Sequence, residues 1–229
     1  MKIITVGDIH GETSWKDLIE ENPKIDKWVI LGDYVDSFHH TDSQIIQNLQ
    51  NIIQFKKDNM DKVILLLGNH DIMYLYPGGD FSCSGYRQSY SVVVHHLFKA
   101  DENLFQYCHQ IGNYIWTHAG ISKTWHERYL IEYDTLTIEQ RINMLSDTRT
   151  GMYKLAEVGS IRGGMRHNVA GPLWADKSET MNNQLPGFHQ IVGHSRVDKV
   201  FTIESAKTNS SFTYCDCLQK VSEVYTLEI

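Results

Sequence analysis

Apolar positions in the first half of the chain fall in three unbroken blocks, within KIITV (2–6), KWVIL (27–31) and VILLL (63–67). Blocks without polar alternation predict strands buried on both faces, as in a sheet covered by helices. Each block runs straight into a glycine and an acidic or amide residue: Gly7-Asp8, Gly32-Asp33 and Gly68-Asn69. Between the second and third blocks, Ile45, Ile46, Leu49, Ile52 and Ile53 recur at helical spacing, with Thr41 or Asp42 placed to cap the helix. A β-α-β order of this kind makes the strands parallel and brings their C-terminal ends to one edge, where open α/β sheets bind ligands.

The pattern changes in the second half. Ile121 to Glu157 reads as mainly helical, and Thr137 with Gln140 has the spacing of a capping box. GSIRGGMRHNVAGP (159–172) predicts a long irregular loop, and such loops in compact domains are usually functional. QIVGH, VFTIES, SFTYCDC and SEVYTLEI then read as short strands, expected to form a β-meander in a second sheet. The fold class is therefore mixed α/β. No linker, repeat or low-complexity segment interrupts the chain, so a single domain over residues 1–229 is expected.

Composition narrows the function. The 229 residues are 41% hydrophobic and carry a formal net charge of −7, and no run of Lys and Arg exceeds two residues. A nucleic-acid polymer is therefore not an expected partner. The first residues lack the apolar length of a signal peptide or membrane span, which predicts a soluble cytoplasmic protein without a membrane partner. Cys83, Cys108, Cys215 and Cys217 have no zinc-site spacing and are expected to be reduced, with both thiols of CDC on one strand face. Nothing in the pattern sets an oligomeric state.

The candidate chemistry lies where the strands end. Asp8 and His10 follow the first block, Asp33 and Asp36 the second, and Asn69, His70 and Asp71 the third. NYIWTHAG adds His118 and QIVGH adds His194. Carboxylates gathered in one cleft repel one another unless cations intervene, and mixed oxygen and nitrogen donors suit Mn, Fe or Zn better than Ca. Asp71 is expected to act as a helix cap or local acceptor.

Together, GDIHG, GDYVD, GNHD, THAG and GHS, with GPLWAD at 171–176, resemble the calcineurin-like metallophosphoesterases. The chain is most similar to their phosphoprotein-phosphatase branch, which includes bacteriophage lambda-type phosphatases and bacterial diadenosine tetraphosphatases. The resemblance runs from Gly7 to about Ser195. It implies two mixed β-sheets packed face to face with helices outside, and two divalent transition-metal ions, with Mn expected first and Fe, Zn or Ni as alternatives. It further implies one metal on Asp8, His10 and Asp33, and a second on Asp33, Asn69, His118 and His194. A metal-bridging hydroxide would attack phosphorus, with His70 as general acid and Asp36 orienting it.

One position departs from this pattern. Where that branch has Val-Asp-Arg-Gly, this chain has Val35-Asp36-Ser37-Phe38, so an arginine expected to clamp phosphate is replaced by serine. Arg162 is the first candidate to replace it, and Arg166, Arg87 and His39 are the others. The expected activity is hydrolysis of phosphomonoesters, on a phosphorylated small molecule or a Ser/Thr or Tyr phosphoprotein. The alternatives are a dinucleoside polyphosphate hydrolase or phosphodiesterase, with Tyr34, Phe38, Tyr74, Tyr76 and Tyr86 available to stack a base, or a non-catalytic binding module.

Overall fold

The computed structural model describes residues 1–78, 81–131 and 135–229. The three apolar blocks form β1 (Lys2–Val6), β2 (Lys27–Ile30) and β3 (Val63–Leu66), parallel and adjacent, with β4 (Phe105–Gln106) beyond β3. Helix α1 (Trp15–Glu21) links β1 to β2, and α2 (Asp42–Asp58) links β2 to β3. Thr41 caps α2: its side chain accepts from the Gln44 N–H, and the Gln44 side chain reaches back. Between β3 and β4 lie α3 (Asn69–Leu75) and α4 (Ser91–Ala100).

The second sheet contains β5 (Cys108–Ile111), β6 (Tyr114–Thr117), β7 (His189–Val192), β8 (Phe201–Ser205) and β9 (Ser210–Tyr214) in the order β5-β6-β7-β9-β8. Between β6 and β7 come α5 (Lys123–Tyr129), α6 (Ile138–Leu145), α7 (Arg149–Leu155) and the short α8 (Lys177–Thr180). Thr137 and Gln140 form the expected capping box on α6, whereas residues 132–134 of the helical stretch lie outside the described residues. Residues 159–172 are irregular apart from one 3₁₀ turn at Ser160–Arg162.

The expected C-terminal meander is not formed. Strand β7 lies parallel to both β6 and β9, and of the described strands after β6 only β8 and β9 pair antiparallel with each other. The last strand, β10 (Tyr225–Glu228), crosses to the first sheet and pairs antiparallel with β1, Leu227 opposite Ile3. Only Leu227 is buried in β10, so the strand suits an edge with one face in water.

Two apolar layers follow from the alternation of side chains along the strands. Ile3, Val29, Leu31 and Leu66 face Trp116 and Ile191 between the sheets. Their neighbours Ile4, Ile30, Val63 and Leu65 point the other way, onto Ile45, Leu49, Ile52 and Ile53 of α2. Each such side chain contributes about 1.5–3 kcal/mol on full burial. The Trp116 Nε1–H donates to Thr5 Oγ1 across the sheet interface at 2.9 Å. Among the described residues no helix is long and apolar enough to cross a membrane.

Candidate metal centre

The parallel strands end together, and each end is made to let a carboxylate come close. A Cβ at Gly68 would sit 2.1 Å from Asp33 Oδ1, and one at Gly193 would sit 2.0 Å from Asp8 Oδ1. His10, Asp33, Asp36 and His194 have φ of 43°, 50°, 62° and 60°, the left-handed region that L side chains avoid. Such conformations cost about 1–3 kcal/mol each and persist where the surroundings over-determine them. Among the described non-glycine residues only Asn209 joins them. Asp71, fully buried, accepts from the N–H groups of Asp33 (2.7 Å), Gly68 (2.8 Å) and Tyr34 (2.9 Å), tying the end of β2 to the start of α3.

Two of the imidazoles have fixed tautomers. His10 Nδ1–H donates to the Val35 carbonyl and His118 Nδ1–H to the Leu31 carbonyl, both at 2.8 Å. Their Nε2 atoms therefore present lone pairs, each 3.5 Å from Asp33 Oδ2. His118 Nε2 also lies 3.2 Å from His194 Nδ1, and both lie 3.0 Å from Asn69 Oδ1. His194 Nε2 is buried without a partner. Asp8 is turned by the His194 N–H, which lies 3.0 Å from both of its oxygens.

Charge balance points the same way. Burial holds His10 and His118 below the usual imidazole range, and burial followed by the His118 and Arg162 charges holds His194 well below it. These rings are neutral at physiological pH, as metal-binding imidazoles must be. Burial raises the Asp33 carboxyl, but His118, His70 and His10 more than offset it, and Asp33 stays ionised. Burial, then Asp216 and Asp33, push Asp8 upward, and burial with Asp33 pushes Asp216 up to about 6. The His118 lone pair facing the Asn69 side-chain oxygen at 3.0 Å, with carboxylates strained by like charge, fits divalent cations between them.

Beside this cluster, His70 Nδ1–H donates to Asp36 Oδ2 at 2.9 Å, and the hydroxyls of Tyr74 and Tyr90 both donate to Asp36 Oδ1. His70 lies edge-on to His10, ring centres 5.0 Å apart. Burial alone would lower the His70 pKa, but the Asp33 charge and the Asp36 hydrogen bond push it up to about 11.

All eight residues expected as ligands or acid are brought together, and seven of them, with Asp216, line a cavity of about 620 Å³; His118 is buried behind it. The phosphate candidates divide. Arg162 lines that cavity, with Nε 2.9 Å from Asp176 Oδ2 and Nη2 3.2 Å from Ser195 Oγ. Arg166 is exposed elsewhere on the loop, and His39 lines a neighbouring cavity. Arg87 is turned away, bound to Asp42 Oδ1 at 2.7 Å and to the carbonyls of Ser37 and His40. Ser37, buried, accepts from the N–H groups of His39 and His40 and so braces that turn. Of the aromatics expected near a base, only Phe38 lines the cavity; Tyr34 and Tyr74 are buried, and Tyr76 lies against Phe81 and Tyr107.

Sequence reasoning missed Asp216, Arg196, Trp174, Asp176 and Cys83, which also line the cavity. Strand β9 stops at Tyr214, and the thiols of CDC part: Cys215 joins the layer between the sheets and Cys217 the outer face. The aspartate between them then faces the site.

The fold has solved relatives. The cold-active protein-tyrosine phosphatase of a psychrophilic Shewanella sp. is 20% identical with a TM-score of 0.63, covering 99% of this chain and 75% of that one. A protein serine/threonine phosphatase from Saccharomyces cerevisiae is 17% identical with a TM-score of 0.50, covering 93% of this chain and 67% of that one. No curated protein sequence matches. The family profile of the calcineurin-like phosphoesterases matches residues 1–194. With most of its length matched, and with a cluster of neutral imidazoles and buried carboxylates at the strand ends, the chain belongs to the calcineurin-like phosphoesterases, metal-dependent hydrolases of phosphate esters.

Proposed function

We propose that this chain is a phosphomonoesterase working with two divalent transition-metal ions in a single domain spanning residues 1–229. Asp8, His10 and Asp33 would hold one ion, and Asp33, Asn69, His118 and His194 the other. The observation that carries the reading is the meeting of His118 Nε2, His194 Nδ1 and Asn69 Oδ1 within 3.2 Å of one another, with the His118 nitrogen presenting a lone pair and His194 Nε2 buried without a partner. When bound, two such ions acidify a water for attack on phosphorus and neutralise charge on the phosphoryl oxygens. Mn is the first metal to test, then Fe, Zn and Ni.

The chain's own residues supply the rest. His70, held by Asp36, donates a proton to the leaving oxygen. Tyr74 and Tyr90 fix Asp36, so the imidazole has one orientation. Arg162, braced by Asp176, places a guanidinium at the cavity wall, where it binds the phosphoryl group in place of the arginine absent at Ser37. The substrate is a phosphorylated small molecule or a Ser/Thr or Tyr phosphoprotein, a class supported by the fold shared with a tyrosine and a serine/threonine phosphatase.

A panel of phosphomonoesters, a bis-aryl phosphate and a dinucleoside tetraphosphate, run with each metal on wild type, His70→Asn and Arg162→Ala, tests the reading. Monoesters should turn over fastest. His70→Asn should lose kcat with metal content unchanged, and Arg162→Ala should lose more than about twofold in kcat/KM. Faster turnover of the diester or the tetraphosphate would overturn the monoesterase assignment, and loss of metal in His70→Asn would make that histidine structural.

A further inference from the structure

Cys83 is the one cavity-lining sulfur that the reaction does not use. It is half-buried, while Cys108, Cys215 and Cys217 are buried. Its backbone N–H points at Met73 Sδ, 3.0 Å away, and its Sγ lies 3.4 Å from the same sulfur, so the thiol is seated rather than loose. On its other side Cys83 faces the pair formed by His70 and Asp36. The donor atoms of Cys83, His70 and Asp36 all lie within 4.8 Å of one another.

Sulfur, imidazole nitrogen and carboxylate oxygen form a donor set of a different kind from the hard, thiol-free cluster beside it. Tetrahedral zinc takes such ligands at roughly 2.0–2.3 Å, which places donors roughly 3.4–3.8 Å apart, within reach of small side-chain rotations from the observed spacing. Thiolate selects zinc and other thiophilic ions over Mn or Mg. The fourth position would face the cavity.

We propose that Cys83, His70 and Asp36 form a third cation site, specific for zinc-like thiophilic ions, whose occupation blocks turnover by taking His70 out of the reaction. Its blocking half rests on the reading of His70 as proton donor; its metal-binding half does not. Zn²⁺ binds the Cys83 sulfur as thiolate and the His70 ring through an unprotonated nitrogen, and the protons displaced from them leave to water. The site makes the enzyme responsive to excess zinc while its catalytic ions stay in place.

The test uses Mn-loaded enzyme, wild type and Cys83→Ser or Cys83→Ala, with three readings. Bound zinc per chain after desalting should rise by one equivalent in wild type with Mn retained, and not in the variants. Added Co²⁺ should give a near-ultraviolet thiolate-to-cobalt band in wild type alone. Zinc should inhibit wild type, and the variants, with basal kcat unchanged, should need about tenfold to a hundredfold more. In the unmutated protein, Zn²⁺ should also slow alkylation of one thiol, identified as Cys83 by peptide mapping. Absence of the cobalt band and of thiol protection would overturn the site. A thiolate band without inhibition would overturn the blocking role, while His70 as the proton donor is decided separately by the kcat of His70→Asn.

Discussion

Replacing Asp36 by Asn separates orientation of His70, the proposed proton donor, from everything else at the site. Asp36 is 2% exposed; one oxygen takes two tyrosine hydroxyls and the other takes the His70 ring. Asparagine keeps a carbonyl for the tyrosines but presents an NH₂ to His70 Nδ1. The ring must then accept there, and its protonated form loses a buried, charge-assisted bond of 2.9 Å. That bond is worth about 1.5–3 kcal/mol, so kcat should fall about 10- to 150-fold. The loss should be larger for phenyl phosphate, whose leaving group needs a proton, than for p-nitrophenyl phosphate, whose leaving group does not. The His70 pKa stands above its ordinary value because the Asp33 and Asp36 interactions outweigh burial. Losing one of them should move the alkaline limb of kcat to lower pH. Steady-state kinetics over pH with the two aryl phosphates decide the matter. Equal losses on both substrates with an unmoved limb would refute the role given to Asp36.

Gly193→Ala places a Cβ 2.0 Å from Asp8 Oδ1 and should cut bound metal below two ions per chain while far-ultraviolet dichroism is retained, read by metal analysis of the purified variant. Asp71→Asn turns an NH₂ toward one of three backbone N–H donors and should cost about 2–4 kcal/mol in urea unfolding, with an unchanged midpoint counting against the bridge. Burial raises the Glu139 carboxyl, but the His109 side chain and the Gln110 N–H outweigh it and leave its pKa below the ordinary value. Its stabilising contribution is therefore present above the unfolded pKa and lost as pH falls through the folded one, so Glu139→Gln should flatten the fall of the urea midpoint between about pH 5 and pH 3.

The sequence was most readable where one physical signal acts locally. Unbroken apolar blocks located β1, β2 and β3, helical spacing and Thr41 located α2, and the polar residues directly after each block marked the cluster. Partners far apart in sequence were not readable. The alternation in SEVYTLEI names a strand but not the sheet it joins, and β10 pairs with β1 from the other end of the chain. Arg87 looked available for phosphate because nothing local reveals Asp42, 45 positions earlier, as its partner. Asp216 stayed hidden because CDC reads as strand, while the turn after Tyr214 that aims its carboxylate depends on tertiary packing.

The sheets that carry the cluster are joined by more than apolar contact. His118 Nδ1–H reaches from the end of β6 to the Leu31 carbonyl after β2, the His194 N–H from the end of β7 to Asp8 after β1, and Trp116 to Thr5 deeper in the interface. Each bond runs from one sheet to the other, so sliding between the layers strains the same atoms that position the imidazoles. The interface thus works as a mechanical gauge. A substitution such as Trp116→Phe, far from any phosphate, would register as a change in turnover as well as in stability.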